Sequence, residues 1–139
     1  MQVRGNTKNI KKYIIEQLEA VYDMEVPLGQ ISTNEINEQI MSATELLNRE
    51  VAVYINRQGK VVQVAIGDTG TVDLPEIRER TSELRLSGIR CIHTHPSGDT
   101  TLSRPDLSSL RRLRFDAMVA LGRKNNELIA SLAFFSGVI

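Results

Sequence analysis

The chain has 139 residues, enough for one compact domain with a modest core. Its 41% apolar and 24% charged residues fit an ordinary soluble globular domain, and its apolar runs, such as residues 132–135, are far too short to span a bilayer. Seventeen basic residues balance seventeen acidic ones, so no global field draws the chain to nucleic acid or to an anionic membrane.

Residues 8–22 read as an amphipathic helix, because Ile10, Tyr13, Ile14, Leu18 and Val21 recur at helical spacing among lysines and glutamates. Residues 23–31 hold Pro27 and Gly29 and read as a linker. A second helix is expected from Ser32 to about Asn48, with Ile36, Ile40, Met41 and Leu47 facing inward. Ser32 and Glu35 have capping-box spacing there, and Ile31 and Ile36 the spacing of a hydrophobic staple. Two β-rich runs, 51–56 and 61–66, flank Arg57-Gln58-Gly59-Lys60 and read as a hairpin. Residues 67–87 read as irregular, with a helical turn after Pro75, and form a plausible rim for substrate or partner contact. A third strand is expected over 89–95, a loop over 96–102 and a short helix over 103–115. Two final strands, 117–121 and 128–134, are joined through 122–126. This order predicts an α/β domain: a helical segment over 1–48, then a sheet over 49–139 with one helix inserted among its strands.

The chain contains two histidines, His93 and His95, one residue apart at the end of a predicted strand. Side chains alternate along a strand, so both imidazoles project from one face, as a bidentate metal clamp requires. Asp106 follows eleven residues after His95, beyond a loop that Ser97 and Gly98 allow to fold back. Two histidines and one aspartate leave a fourth position open, as a catalytic zinc site needs. Ser103 lies beside the same site, where its hydroxyl is suited to stabilising an oxyanion. Glu50, just before the first strand of the hairpin, is the candidate general base.

Each of these residues has a plainer reading. Ser103 and Asp106 also have capping-box spacing, with Leu102 and Leu107 as a staple. An H-x-H pair alone is a weak signal, and a glutamate that follows a helix is commonly solvated. Cys91 shares the strand face of the histidines; a buried inert thiol is the reading favoured over a sulfur ligand. As the single cysteine it excludes an intrachain disulfide and suits a reducing, cytoplasmic setting.

His93-Thr94-His95-Pro96, then Ser103 and Asp106, match the JAMM metalloprotease signature H-x-H-x7-S-x-x-D at every position. The chain therefore resembles the JAMM (MPN+) family. That resemblance implies a cytidine deaminase-like sheet flanked by helices and a zinc ion held by His93, His95 and Asp106. It also implies that Ser103 supports the oxyanion and that Glu50 holds the catalytic water. His95-Pro96-Ser97-Gly98-Asp99 is similar to the bacterial RadC proteins, which share the fold. The implied activity is cleavage of a peptide or isopeptide bond in a peptide or protein substrate.

A second resemblance runs along nearly the whole chain. Residues 5–8, 18–23, 48–57, 86–96 and 113–118 resemble the N-terminal region of clostridial-type HflX GTP-binding proteins. In those proteins the region precedes a GTPase domain that associates with the ribosome. No G-x-x-x-x-G-K-[ST] sequence occurs here, so the chain has no nucleotide site of that type. By this resemblance it is a regulatory or ribosome-binding module, with a C-terminal GTPase domain and the ribosome as partners. Arg104, Arg111, Arg112 and Arg114 could contact RNA phosphates, against the plainer reading of a solvated helix face. A zinc ion that only staples the fold is a further reading, weakened because three ligands are evident rather than four.

Overall fold

The computed structural model describes residues 2–67, 88–113 and 115–134. They form one six-stranded sheet in the order β1-β3-β2-β4-β5-β6, with helices on both faces. The strands are β1 (Arg4–Gly5), β2 (Val51–Asn56), β3 (Val61–Ile66), β4 (Ile89–Thr94), β5 (Ala117–Lys124) and β6 (Glu127–Phe134). The helices are α1 (Lys12–Glu19), α2 (Asn34–Leu47) and α3 (Arg104–Arg112). Strand β4 pairs antiparallel with β2 and parallel with β5, so it lies at the centre of the sheet. The expected α/β architecture is therefore present, and the segment 68–87, with its expected helical turn and rim, lies outside the described residues.

Strand alternation divides the core into two layers. Val51, Val53, Ile55, Ile92, Val119 and Leu121 point to one face and pack with Ile14, Leu18, Ile36, Ile40 and Met41 from α1 and α2. Ala52, Tyr54, Cys91 and Met118 point to the other and pack with Leu110 and Phe115 at the end of α3. His93 is two residues from Cys91, so its ring emerges on the α3 side. Glu50 is two residues from Ala52 and emerges on the same side.

Local physics moved several boundaries. α1 begins at Lys12, because Asn9 takes a left-handed φ of 60° that breaks the expected start at residue 8. The chain tightens into a 3-10 turn over Ala20–Asp23. Thr33, not Ser32, caps α2: its Oγ1 accepts from the Ile36 N–H at 3.1 Å. Ser32 instead donates its hydroxyl to Asn37 Oδ1 at 2.7 Å, a polar link where the apolar staple was expected. Strand β5 runs through Gly122 to Lys124 and returns at Asn125-Asn126, both with positive φ, as a two-residue hairpin of the primed type requires.

One buried hydroxyl pair ties α2 to the sheet next to the histidines. Thr94 Oγ1 lies 2.5 Å from Thr44 Oγ1 and accepts from the Val51 N–H at 2.8 Å. Both threonines have no solvent exposure. Thr94→Val leaves the Val51 N–H and the Thr44 hydroxyl unpartnered, whereas Thr44→Val leaves the Val51 bond in place. Urea unfolding of the metal-free protein should therefore show Thr94→Val costing about 1–3 kcal/mol, more than Thr44→Val. Equal effects would contradict this arrangement.

Candidate metal centre

Strand β4 ends at Thr94, so His95 falls one residue beyond the strand in which it was expected. Its backbone still follows β5, because His95 N donates to Leu121 O at 2.8 Å. The alternation consequently carries through, and the two rings meet on one face with their Nε2 atoms 3.1 Å apart. The segment then turns at once, with Gly98 N donating to His95 O at 3.1 Å, and the chain comes back over the sheet as α3. That return brings Asp106 in: His93 Nε2 is 3.2 Å from Oδ1 and His95 Nε2 is 3.5 Å from Oδ2. One donor atom from each of the three residues lies within 4.8 Å of the others.

The capping-box reading of Ser103 and Asp106 holds, and the same geometry brings Asp106 to the histidines. Ser103 caps α3 and forms a complete capping box: its Oγ accepts from Asp106 N at 3.2 Å, and its own N–H donates to Asp106 Oδ2 at 3.0 Å. The box fixes Oδ2, the oxygen nearest His95, and leaves Oδ1 facing His93. The accompanying staple is incomplete, since Leu102 packs on the core while Leu107 is exposed.

A buried carboxylate beside two imidazoles sets the electrostatics of this group. Burial pushes the Asp106 carboxyl up, but the two imidazoles and the Ser103 N–H outweigh it and hold the group well below the usual carboxylate range. Asp106 in turn raises His95, against burial and with help from the Asp99 carbonyl. His95 Nδ1 lies 2.7 Å from that carbonyl, which can only accept, so Nδ1 carries the proton and Nε2 of the neutral ring presents its lone pair to the site. This is the backbone contact expected behind a metal-ligating histidine.

Glu50 is 7% exposed, so the solvated alternative does not hold. Ala52 lies opposite His93 in the β2–β4 ladder, and two residues earlier Glu50 comes level with His95. Burial pushes its carboxyl up to about 7, opposed by the nearby histidines and assisted by Asp106. Three buried side-chain atoms, Glu50 Oε1, His93 Nδ1 and Asp106 Oδ1, have no hydrogen-bond partner. Asp106 Oδ1 lacks one although His93 Nε2 lies 3.2 Å from it. Orphaned buried polar atoms are costly, and the two carboxyl oxygens among them, Glu50 Oε1 and Asp106 Oδ1, fit a nearby bound cation. Cys91, fully buried on the same face, stays outside the donor group, and burial pushes its thiol well up, in keeping with an inert core residue.

Residues 31–130 match the RadC-like JAB domain. The chain belongs to that family. It is also 32% identical over 81 residues to a UPF0758 protein of Geobacillus thermodenitrificans, covering 53% of this chain and 36% of that one. A UPF0758 protein of Ruegeria pomeroyi is 36% identical over 74 residues, covering 50% and 33%. One of Bacillus cereus is 30% identical over 89 residues, covering 59% and 40%. The chain thus spans about a third to two fifths of the length of these curated relatives. Among the described residues no helix is long and apolar enough to cross a membrane.

The raised Glu50 gives a pH test on metal-free protein. Below pH 4.5 the carboxyl is protonated in both folded and unfolded chains. Between 4.5 and about 7 the unfolded chain releases a proton that the fold retains, so stability falls with rising pH, by up to about 1.4 kcal/mol per pH unit, and levels off above 7. Glu50→Gln should abolish that component, so its stability advantage over wild type grows from pH 4.5 to 7. Parallel pH profiles for the two proteins would contradict a buried Glu50.

Proposed function

We propose that this RadC-like domain is a zinc-dependent hydrolase of peptide or isopeptide bonds, with His93, His95 and Asp106 as metal ligands, Glu50 as general base and Ser103 as oxyanion donor. The observation that carries this reading is the convergence of two imidazoles and one carboxylate beside a buried carboxyl, Glu50, that has an oxygen without a partner. The two imidazole Nε2 atoms are 3.1 Å apart, His93 reaches Asp106 Oδ1 at 3.2 Å and His95 reaches Asp106 Oδ2 at 3.5 Å. One donor atom from each residue lies within 4.8 Å of the others, close enough to share one ion, which these three residues would hold. Bound zinc would polarise a scissile carbonyl and acidify water.

The residues divide the remaining work. Glu50, with a pKa near neutrality, is suited to take a proton from the attacking water and return it to the leaving amine. Ser103 Oγ accepts in the capping box and keeps its hydroxyl hydrogen for a developing oxyanion. Asp106 stays ionised and so balances the ion's charge. A reducing cytoplasmic setting suits the one, buried thiol.

A second reading, a ribosome-binding module of an HflX-like GTP-binding protein, is favoured by the exposure of Arg104, Arg111 and Arg112 along α3, while Arg114 lies outside the described residues. Phosphate contact through these arginines would make ribosome binding fall steeply between 50 and 200 mM salt. Salt-insensitive binding, or none, would count against it.

The hydrolase reading is tested by loading wild type and Glu50→Gln with zinc and exposing both to a mixed peptide and isopeptide-linked library, read by mass spectrometry. Wild type should cleave, and the variant should hold the same zinc while losing about 100- to 10,000-fold in rate. Cleavage by Glu50→Gln at the wild-type rate would remove Glu50 from the mechanism. No cleavage by zinc-loaded wild type would favour the binding-module reading.

A further inference from the structure

The Asp99 carbonyl that orients His95 belongs to the 97–100 turn, and that turn is pressed against the end of β5 by a contact between two glycines. A Cβ on Gly122 would meet the Gly98 carbonyl oxygen at 2.5 Å and Thr100 Cγ2 at 3.0 Å. A Cβ on Gly98 would meet the Arg123 carbonyl oxygen at 2.9 Å, and Gly98 has a φ of +82° that side chains rarely adopt. The two backbones are therefore in contact with no room for a side chain on either. Thr100 Oγ1 adds a 2.9 Å link to Ser131 Oγ on β6, and the Thr101 N–H donates to Asp99 Oδ1 at 2.9 Å. The result is a turn held at both ends, with the Asp99 carbonyl between them.

We propose that Gly122 and Gly98 are positioning residues: their backbone contact holds the 97–100 turn so that the Asp99 carbonyl keeps His95 with its proton on Nδ1 and its Nε2 lone pair turned to the metal centre. Gly122 is the more informative of the two. Its φ is ordinary, so an added methyl acts through its contacts with Gly98 and Thr100 of the turn. It sits on β5, carries no donor side chain and is distant in sequence from the ligands, yet it controls the distance at which the turn can approach. Lifting the turn by even part of an ångström lengthens the 2.7 Å bond and frees the imidazole to rotate or to change tautomer.

The inference rests on the metal-site reading for its purpose, but the tautomer can be read without metal. The experiment is ¹⁵N NMR of the histidine rings at pH 8 in metal-free wild type and Gly122→Ala, together with zinc affinity by competition with a chelator, and circular dichroism as the folding control. Wild-type His95 should be the Nδ1–H tautomer. In Gly122→Ala that preference should be lost and zinc affinity should fall about tenfold or more, with the fold retained. If Gly122→Ala does not fold, the wild-type spectrum still decides: His95 protonated on Nε2 overturns the proposal. A folded Gly122→Ala with wild-type tautomer and affinity overturns it too. A wild type that takes up no zinc, yet shows an Nδ1–H tautomer lost in Gly122→Ala, upholds the positioning role and removes the metal reading.

Discussion

A carboxylate with no solvent exposure, at Asp106, is the constraint around which the site is arranged. An ionised carboxyl in such a place is costly unless fixed donors and positive charge surround it. Two devices meet that requirement. The capping box with Ser103 ties one oxygen to the first turn of α3, where the helix dipole favours negative charge. The second oxygen faces His93, and His95 approaches the carboxylate from beside it. The helix start and the candidate ligand are thus one structure, and the cap at Asp106 is compatible with a ligand role.

The sheet supplies the rest by register. β4 lies between β2 and β5, which fixes the level of His93 from both sides. The β2–β4 ladder brings Glu50 level with His95, and strand alternation puts it on the α3 side. The Thr44–Thr94 hydroxyl pair holds the same end of β2 to α2 from the opposite face. Each candidate site side chain therefore stands on a rigid element or next to one of its ends, the arrangement a site with ångström tolerances needs.

Much of this could be read from the residues, for physical reasons. Runs of β-favouring residues made β2, β3 and β4 legible, and the offsets from His93 to Asp106 made the candidate donor set legible. Glu50 was harder: beside Arg49, at a helix end, nothing local distinguishes it from a solvated glutamate, and its burial arises from long-range strand pairing. β1 was missed because two residues pairing with β3 carry no periodicity. β5 was expected to stop at Leu121, with Gly122 in the connection, yet it runs on to Lys124. Gly122 is in fact the point where the strand admits the close approach of the 97–100 turn. The Asp99 carbonyl that sets the His95 tautomer is a backbone group, and no residue type announces it.

The proposal stands or falls on whether His93, His95 and Asp106 hold a metal. The most direct test is elemental mass spectrometry of the untagged protein alongside His95→Ala and Asp106→Ala. Near-stoichiometric zinc is expected in wild type, lost in both variants, each of them still folded. Wild type without metal that also fails to take up added zinc, or variants that keep the wild-type content, would contradict it.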